Sequence, residues 1–399
     1  MRVGAAAAAI AAAIALAAGC GGDPARLPRA GGGHHTGAAD ATRAQSPTGA
    51  AASAAPQKPA RVPLRAGERF VELRMPRLYT PKAPTTGTDD YRCFLLDPKL
   101  SRDSVITGTD FLPANSQLVH HVILYQVDAE HVPAATSRDD LDAGEGWTCF
   151  GGTGISGAGD MDLTRAPWLG AWAPGGSEEV AADGIGTALP AGSRIVMQVH
   201  YNLLAGDGSD QSAARLRLAD DGPGFRHLQP MLLPAPVELP CRPGHSGPLC
   251  DRDAALADNT ARFGMAAARA NMVHVLCGAN PIGPTQSCTR EVGERIVVRA
   301  AAGHMHLLGK SIRIIADAGT SGEKVLLDIP AWNFDDQRSV RLDTPVTLNP
   351  RHTLTVTCTH DQALRDRLPA LAGTPERYVL WGEGTTDEMC LGIVLFTTS

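Results

Sequence analysis

The sequence lacks any pair of cysteines separated by two residues, although it contains nine cysteines. That spacing is typical of zinc ribbons and thioredoxin-like redox sites, so neither class is expected. Aromatic residues make up only 5% of the chain, which leaves no dense platform for stacking bases. The formal net charge of -6 is mild, so we expect no nucleic-acid partner and no attraction to an anionic membrane.

Long apolar runs are also missing, except at the N-terminus. Residues 3–18 are apolar and mostly alanine, and a short basic start precedes them. Such a run, with small residues at its end, predicts a signal peptide over residues 1–20 rather than a membrane-spanning helix. Cys20 resembles the acylated cysteine of a bacterial lipobox, although Ala17 stands where a large aliphatic residue is usual. We therefore expect an exported, lipid-anchored protein of the cell envelope. The alternative is ordinary cleavage that leaves Cys20 free.

Composition and the pattern of apolar residues change twice along the rest of the chain. Residues 21–65 are rich in Ala, Gly, Pro, Ser and Thr, which predicts a disordered tether. From residue 66 onwards, short β-branched and alternating runs recur between turn residues, which is typical of β-sandwiches. A proline-rich stretch places a boundary between two β domains, 66–225 and 226–399. The one helix candidate lies around 252–271.

Histidines occur in three compact settings. His120 and His121 stand together at the start of an apolar strand, His200 lies on another, and His304 and His306 are two residues apart. Residues i and i+2 of a strand point to the same face, so the last pair can bind one ion together. Adjacent histidines point to opposite faces, so the first pair can share an ion only if the backbone bends there, as at a β-bulge.

The residue types limit the choice of metal. Imidazole suits Zn, Cu, Ni and Fe, and no carboxylate stands beside the histidines as a non-haem iron site would require. A thioether would favour copper, because soft sulfur stabilises Cu(I). Met389, just before an apolar strand, is the candidate for that ligand. A methionine in this position is otherwise usually a core residue.

Taken in order, these motifs resemble one family. A His-His pair, Gln-Val-His-Tyr, His-x-His followed by Gly, and Asp-Glu-Met-Cys are the pattern of the copper type II, ascorbate-dependent monooxygenases. That family includes the peptidylglycine α-hydroxylating and dopamine β-monooxygenases. This chain has all four motifs in the same order across most of residues 90–399.

The resemblance implies a fold and two metal sites. The fold is two jelly-roll-like antiparallel β-sandwiches in tandem, with a solvent-filled cleft between two copper ions. His120, His121 and His200 match the ligands of the electron-supplying copper. His304, His306 and Met389 match those of the oxygen-activating copper and would form the catalytic centre. The reductant is ascorbate in the family and could be another donor here.

Eight cysteines remain after Cys20, and an even number in an exported chain indicates disulfides. The resemblance implies that Cys358 and Cys390 pair and brace Met389. Cys93 and Cys149 are the only two in the first domain, so we expect them to pair. The other four allow three connectivities, of which the local pairings are Cys241–Cys250 and Cys277–Cys288.

Several neighbouring positions bear on the substrate. Where the peptide-amidating members have an Arg that helps hold the substrate carboxylate, this chain has Ala302. Two further positions that are polar in those members are occupied here by the apolar residues Leu391 and Ile393. A C-terminal peptide glycine is therefore not the expected substrate, and a less polar small molecule fits better. Gln198 is a candidate for orienting groups around the ligands, with a solvent-facing strand residue as the equal alternative.

Asp387 and Glu388 are the acidic residues closest to Met389, and we expect them to have an ordinary turn role.

The functional hypothesis is a copper monooxygenase that uses O2, an external reductant and a small organic substrate. A non-catalytic copper-binding or delivery protein would use the same ligands and is the main alternative. A zinc hydrolase would need a general-base carboxylate near a histidine cluster, and the sequence shows none.

Overall fold

The computed structural model describes residues 61–83, 87–142, 144–155, 166–278 and 282–398. Strands are the main secondary structure of this part and form largely antiparallel sheets, which confirms the predicted all-β sandwich fold. It belongs to one compact unit, Lys58–Ser399. The predicted signal peptide, the acylation site Cys20 and the tether up to residue 60 lie outside the described residues.

The strands are, in chain order, β1 (Arg69–Arg74), β2 (Asp89–Leu96), β3 (Ser104–Leu112), β4 (Val119–Val127), β5 (Trp147–Thr148), β6 (Trp168–Trp172), β7 (Glu179–Val180), β8 (Ile185–Leu189), β9 (Arg194–Asn202), β10 (Ala213–Asp220), β11 (Arg226–Pro234), β12 (Glu238–Leu239), β13 (Thr285–Glu291), β14 (Ile296–His304), β15 (Gly309–Ala316), β16 (Lys324–Ile329), β17 (Val340–Leu348), β18 (Thr353–His360), β19 (Val379–Leu380) and β20 (Leu391–Thr398). The α-helices are α1 (Val132–Asp139), α2 (Arg252–Phe263) and α3 (Arg269–Cys277). None of the described helices is long and apolar enough to cross a membrane.

The predicted helical region holds two helices rather than one. Asp251 caps α2 by accepting a hydrogen bond from the amide of Ala254. The helix ends at Gly264, whose φ of 58° a residue with a side chain rarely adopts. A 3-10 turn then leads into α3. The short helix α1 was not expected from the sequence.

Two cores are built on one shared sheet. A nine-stranded sheet runs in the order β1-β10-β3-β8-β11-β20-β14-β17, with β7 beside β3. In the first half, the five-stranded sheet β5-β2-β9-β4-β6 shares a core with this sheet. In the second half, the four-stranded sheet β13-β18-β15-β16 does the same. The parallel pairing of β8 with β11 carries the long sheet across the predicted domain boundary. The division into two domains stays a prediction.

Four disulfides staple the loops and strands: Cys93–Cys149, Cys241–Cys250, Cys277–Cys288 and Cys358–Cys390. The pairings of Cys358 with Cys390 and of Cys93 with Cys149 are confirmed, and the other four cysteines have the local connectivity of the three that were open. Disulfides persist in oxidising compartments, which agrees with an environment outside the cytosol.

Candidate metal centre

The backbone bends at the adjacent histidines as the sequence analysis requires. Strand β4 pairs with β9, and the register shifts between Val119 and His121, so that His120 is the bulged residue. His121 lies directly opposite His200. A bulge lets two consecutive side chains point to one side, where a regular strand would separate them.

The three rings converge on one point. The Nδ1 atom of His120 lies 3.3 Å from those of both His121 and His200, and the last two are 3.4 Å apart. Three nitrogens bound to a tetrahedral ion at about 2.0–2.1 Å lie about 3.3 Å from one another. Hydrogen bonds cannot explain the triangle, because each Nδ1 either donates or accepts and at least one pair must fail. The arrangement therefore fits a metal ion.

Burial disfavours the charged form of His120 and of His121. His120 and His200 are buried, and His121 is partly exposed to a neighbouring cavity. Burial, with a smaller effect of nearby histidines, holds the pKa of His120 and of His121 well below the usual imidazole range. A neutral imidazole offers a lone pair to a metal without first losing a proton.

Asp89 and Tyr91 of β2 support His200, and the sequence analysis missed both. Asp89 Oδ1 accepts a hydrogen bond from His200 Nε2 at 2.9 Å, and from the amide and hydroxyl of Thr385. Burial alone would raise the pKa of Asp89, but its hydrogen bonds to His200 and Thr385 lower it. With Nε2 occupied as a donor, His200 directs its Nδ1 lone pair into the triangle.

Tyr91 stacks on the His200 ring at 4.0 Å, and its hydroxyl donates to the carbonyl of Glu383. Asp89 precedes His200 by 111 residues, and no local pattern could have revealed the contact.

The second cluster lies where β14 ends. His304 is the last residue of that strand, and His306 lies in the following turn, with the two ring centroids 5.1 Å apart. His304 Nδ1 lies 2.7 Å from Gln337 Oε1, and His306 Nδ1 lies 3.2 Å from the carbonyl oxygen of Asp387. Both Nδ1 atoms therefore donate, which leaves both Nε2 lone pairs available. Burial and His306 lower the pKa of His304 to about 3.

His306 Nε2 is buried without a hydrogen-bond partner among the described residues. A buried unsatisfied nitrogen is costly, and a metal ion would satisfy it.

Met389 lies two residues before β20 and belongs to the same region as this cluster. It is buried and lines the same cavity as His304. The adjacent disulfide Cys358–Cys390 ties this segment to β18. Glu388 does more than shape a turn, since its carboxylate accepts hydrogen bonds from the amides of His306, Leu308 and Met389. It thereby fixes the backbone of the histidine and methionine segments relative to each other.

Two further residues complete this support. Asp387 forms two bonds of 2.7 Å to the guanidinium of Arg262 in α2, so its role is also more than a turn. His360 Nε2 lies 3.4 Å from Glu388 Oε2.

The two clusters are in contact, which differs from the solvent-filled cleft that the resemblance implies. The rings of His121 and His304 meet edge to face with centroids 5.7 Å apart. Phe334 stacks on His120 at 4.2 Å and stands at right angles to His306 at 6.5 Å. The segment that carries Phe334 and Gln337 contacts both clusters.

Both clusters open onto one apolar cavity of about 540 Å³. Its wall includes His121, His304 and Met389, together with Ala302 and Ile393. Gln198 also faces it, but is buried and donates to the carbonyls of Cys149 and Gly152. The solvent-facing alternative for Gln198 is therefore wrong, and the residue anchors the disulfide-bonded loop instead.

No protein-family model matches the chain, and no curated protein does. Among solved structures, the chain is similar to the major capsid protein P2 from bacteriophage PM2, with 10% identity, 83% of this chain and 97% of that chain covered, and a TM-score of 0.28. It is also similar to a fucolectin from striped bass serum, with 8% identity, 79% and 84% covered, and a TM-score of 0.19. Similarity at this level carries no argument about function.

Proposed function

We propose that this protein is an exported, copper-dependent monooxygenase that hydroxylates a C–H bond of a small organic substrate. The observation that carries the proposal is the triangle of three Nδ1 atoms in contact with a second, different donor set at the mouth of one apolar cavity. The ordered motifs that resemble the copper type II monooxygenases support the same reading.

The reaction must balance electrons as well as atoms. One C–H bond and the O–O bond break, one C–O bond forms, and the second oxygen atom leaves as water. This takes two electrons and two protons from outside the substrate, so an external reductant such as ascorbate is required. Two copper ions, each storing one electron as Cu(I), would supply those electrons when bound.

The protein's own residues divide the work. His120, His121 and His200 would hold one copper ion in a rigid setting, since Asp89 and Phe334 fix two of the three rings. His304 and His306 would hold the other through Nε2, with Met389 as a soft third ligand that favours Cu(I). The apolar cavity would bind substrate and limit water around the second site.

The main rival is a copper-binding or delivery protein. Such a protein needs ligands but has no use for an apolar cavity of about 540 Å³ beside them. A zinc hydrolase fits less well. Asp89 is occupied by His200 and Thr385, and Glu388 by backbone amides, so neither carboxylate is placed as a general base.

The cellular setting is part of the proposal. The disulfides and the alanine-rich N-terminus support export to the cell envelope. Acylation of Cys20 would anchor the protein to a membrane through residues 21–65.

The deciding experiment is X-ray absorption on the copper-reconstituted, ascorbate-reduced protein, with copper stoichiometry measured on the same sample. We expect two copper ions per chain and a sulfur neighbour that disappears in Met389→Ala. Substrate-dependent O2 uptake then separates an enzyme from a delivery protein. One copper ion or none, or no sulfur neighbour in the wild type, would contradict the two-site assignment.

A further inference from the structure

The floor of the cavity is a ladder of three strands. Alternate residues of β11, β20 and β14 face it, and their register places them in rows. The row at the metal end is Pro234, Leu391 and His304. The floor therefore begins at a predicted copper ligand and continues along the strands away from it.

The next rows along the strands are apolar, and the side chains that β14 contributes to them are small. Ile393 lies opposite Ala302, and Leu395 lies opposite Ala300. The two alanines leave room above the floor where larger side chains would fill it. His304 lies four positions after Ala300, which corresponds to about 13 Å along a strand. The space is thus an elongated apolar trough.

A positive charge lies at the far end of this trough. The pairing of β14 with β20 shifts register between Val298 and Ala300, so Arg299 is a bulged residue. The bulge brings Arg299 to the cavity wall beside Ala300, whereas regular alternation would direct it into the core. Its Nε donates to the hydroxyl of Thr397 at 3.1 Å.

Arg299 has no carboxylate partner among the described residues. The surroundings do not offset the positive charge of Arg299, because burial and the positive charge of Arg226 both lower the pKa of its guanidinium. A half-buried guanidinium with one neutral partner retains several unused donors that match a carboxylate.

Other charged side chains on the cavity wall are engaged elsewhere. Arg269 pairs with Glu383 at 3.3 Å, and Arg338 pairs with Asp336 at 2.6 Å. Glu178 pairs with Arg217 at 3.3 Å.

Glu179 and Arg341 are the remaining charged residues on the wall, and Arg341 donates to the backbone carbonyl of Val180. Arg299 is therefore the arginine of the wall that has neither a carboxylate nor a carbonyl partner among the described residues.

We propose that the cavity binds an elongated apolar molecule with a terminal carboxylate, held by Arg299, whose other end reaches His304 and Met389. The carboxylate would lie far from the carbon that reacts. This differs from recognition at the position of Ala302, which would hold a carboxylate next to the metal. Binding of this molecule does not depend on the proposed function, whereas its oxidation rests on that function.

Binding is tested first, on the full chain with copper removed, by isothermal titration calorimetry. The probes are decanoate, decanol and decylamine, which share a tail and differ in the head group. We expect decanoate to bind at least about tenfold more tightly than the other two, because a charge-assisted hydrogen bond is roughly twice as strong as a neutral one. Tighter binding of decylamine would overturn the proposal and point to Glu179.

The Arg299→Met variant keeps the length of the side chain and removes its charge. It should lose most of the preference for decanoate over decanol while decanol affinity stays unchanged. The matched control is Arg313→Met, since Arg313 is an exposed arginine of neighbouring β15 that pairs with Asp328. Thermal melts verify that both variants are folded. Unchanged decanoate binding in folded Arg299→Met would refute the role of Arg299.

The depth of the trough is tested with Ala302→Leu, which fills its middle. A homologous series from hexanoate to dodecanoate should show a shorter optimum in this variant than in the wild type. An unchanged optimum would mean that the tail does not run along β14.

The copper-loaded protein with ascorbate and O2 should then hydroxylate decanoate at the end remote from the carboxylate. Binding without oxidation would leave the site assigned and the proposed function refuted. Oxidation next to the carboxylate would refute the orientation.

Discussion

The two histidine clusters use opposite means to present a metal-binding nitrogen. In the first, the three rings present Nδ1, and the backbone bulge at His120 brings them together. In the second, His304 and His306 spend Nδ1 on neighbours and present Nε2 near a strand end. The first cluster has three imidazole nitrogens in one triangle, whereas the second combines two imidazoles with the nearby thioether of Met389, and both line the cavity. Under the proposed function, the triangle would suit electron storage and the mixed donor set would suit oxygen activation.

The largest expected effect separates the two clusters. Met389→Ala should abolish hydroxylation and leave one copper ion bound to His120, His121 and His200. The matched control is Met231→Ala, since Met231 is a partly buried methionine of β11 that does not line the cavity shared by the two clusters. Turnover and copper stoichiometry are measured together. Full activity in Met389→Ala would show that the second cluster is not the reaction site.

Disulfide removal should distinguish the clusters through stability. The Cys358–Cys390 disulfide joins residues 32 positions apart, and the Cys241–Cys250 disulfide joins residues 9 positions apart. Replacing both cysteines of a pair by Ala releases the chain loop that the disulfide closes. Chain entropy predicts losses of about 4 and about 3 kcal/mol in the free energy of unfolding. Denaturant melts measure both.

The first pair should also perturb copper at the second cluster, because Cys390 adjoins Met389, while the first cluster keeps its metal. Loss of copper from the first cluster instead would show that the clusters are not independent.

Asp89→Asn should affect the first cluster selectively. Asp89 receives the Nε2 proton of His200, and loss of such a contact typically costs about 10–100-fold in metal affinity. Asp90→Asn is the control, because Asp90 is also buried but binds Tyr79 and the Lys82 amide. Competitive chelator titration measures copper affinity. Equal affinities in the two variants would contradict the positioning role of Asp89.

Phe334→Leu should have the smallest effect, and on both clusters. The ring stacks on His120 and meets His306 edge on, and aromatic contacts of this kind contribute about 0.5–1.5 kcal/mol. We expect a modest loss of copper affinity at each cluster, seen in the same titration. A loss confined to one cluster would show that Phe334 does not join them.

The sequence was sufficient where one short segment contains the constraint. Adjacent His120 and His121 can meet one ion only at a bend, and a bulge lies there. Cys93–Cys149 followed from there being no other partner in the first half. The sequence was not sufficient where the constraint is distant. Asp89 contacts His200 at a separation of 111 positions, Glu388 contacts the Leu308 amide at a separation of 80, and Phe334 contacts His120 from the other half of the chain, and no periodicity records such contacts. The closure of the expected cleft depends on loop packing that motifs do not encode.

The bulge at His120 makes the first cluster depend on chain length as well as on residue identity. Deleting one residue between Asn115 and Val119 could restore a regular strand and send one histidine of the pair to the far face. All three imidazoles would still be encoded, yet the triangle would be lost. Related sequences should therefore tolerate substitutions in this stretch more readily than insertions or deletions, and an alignment gap there would mark a protein without the His120, His121 and His200 triangle.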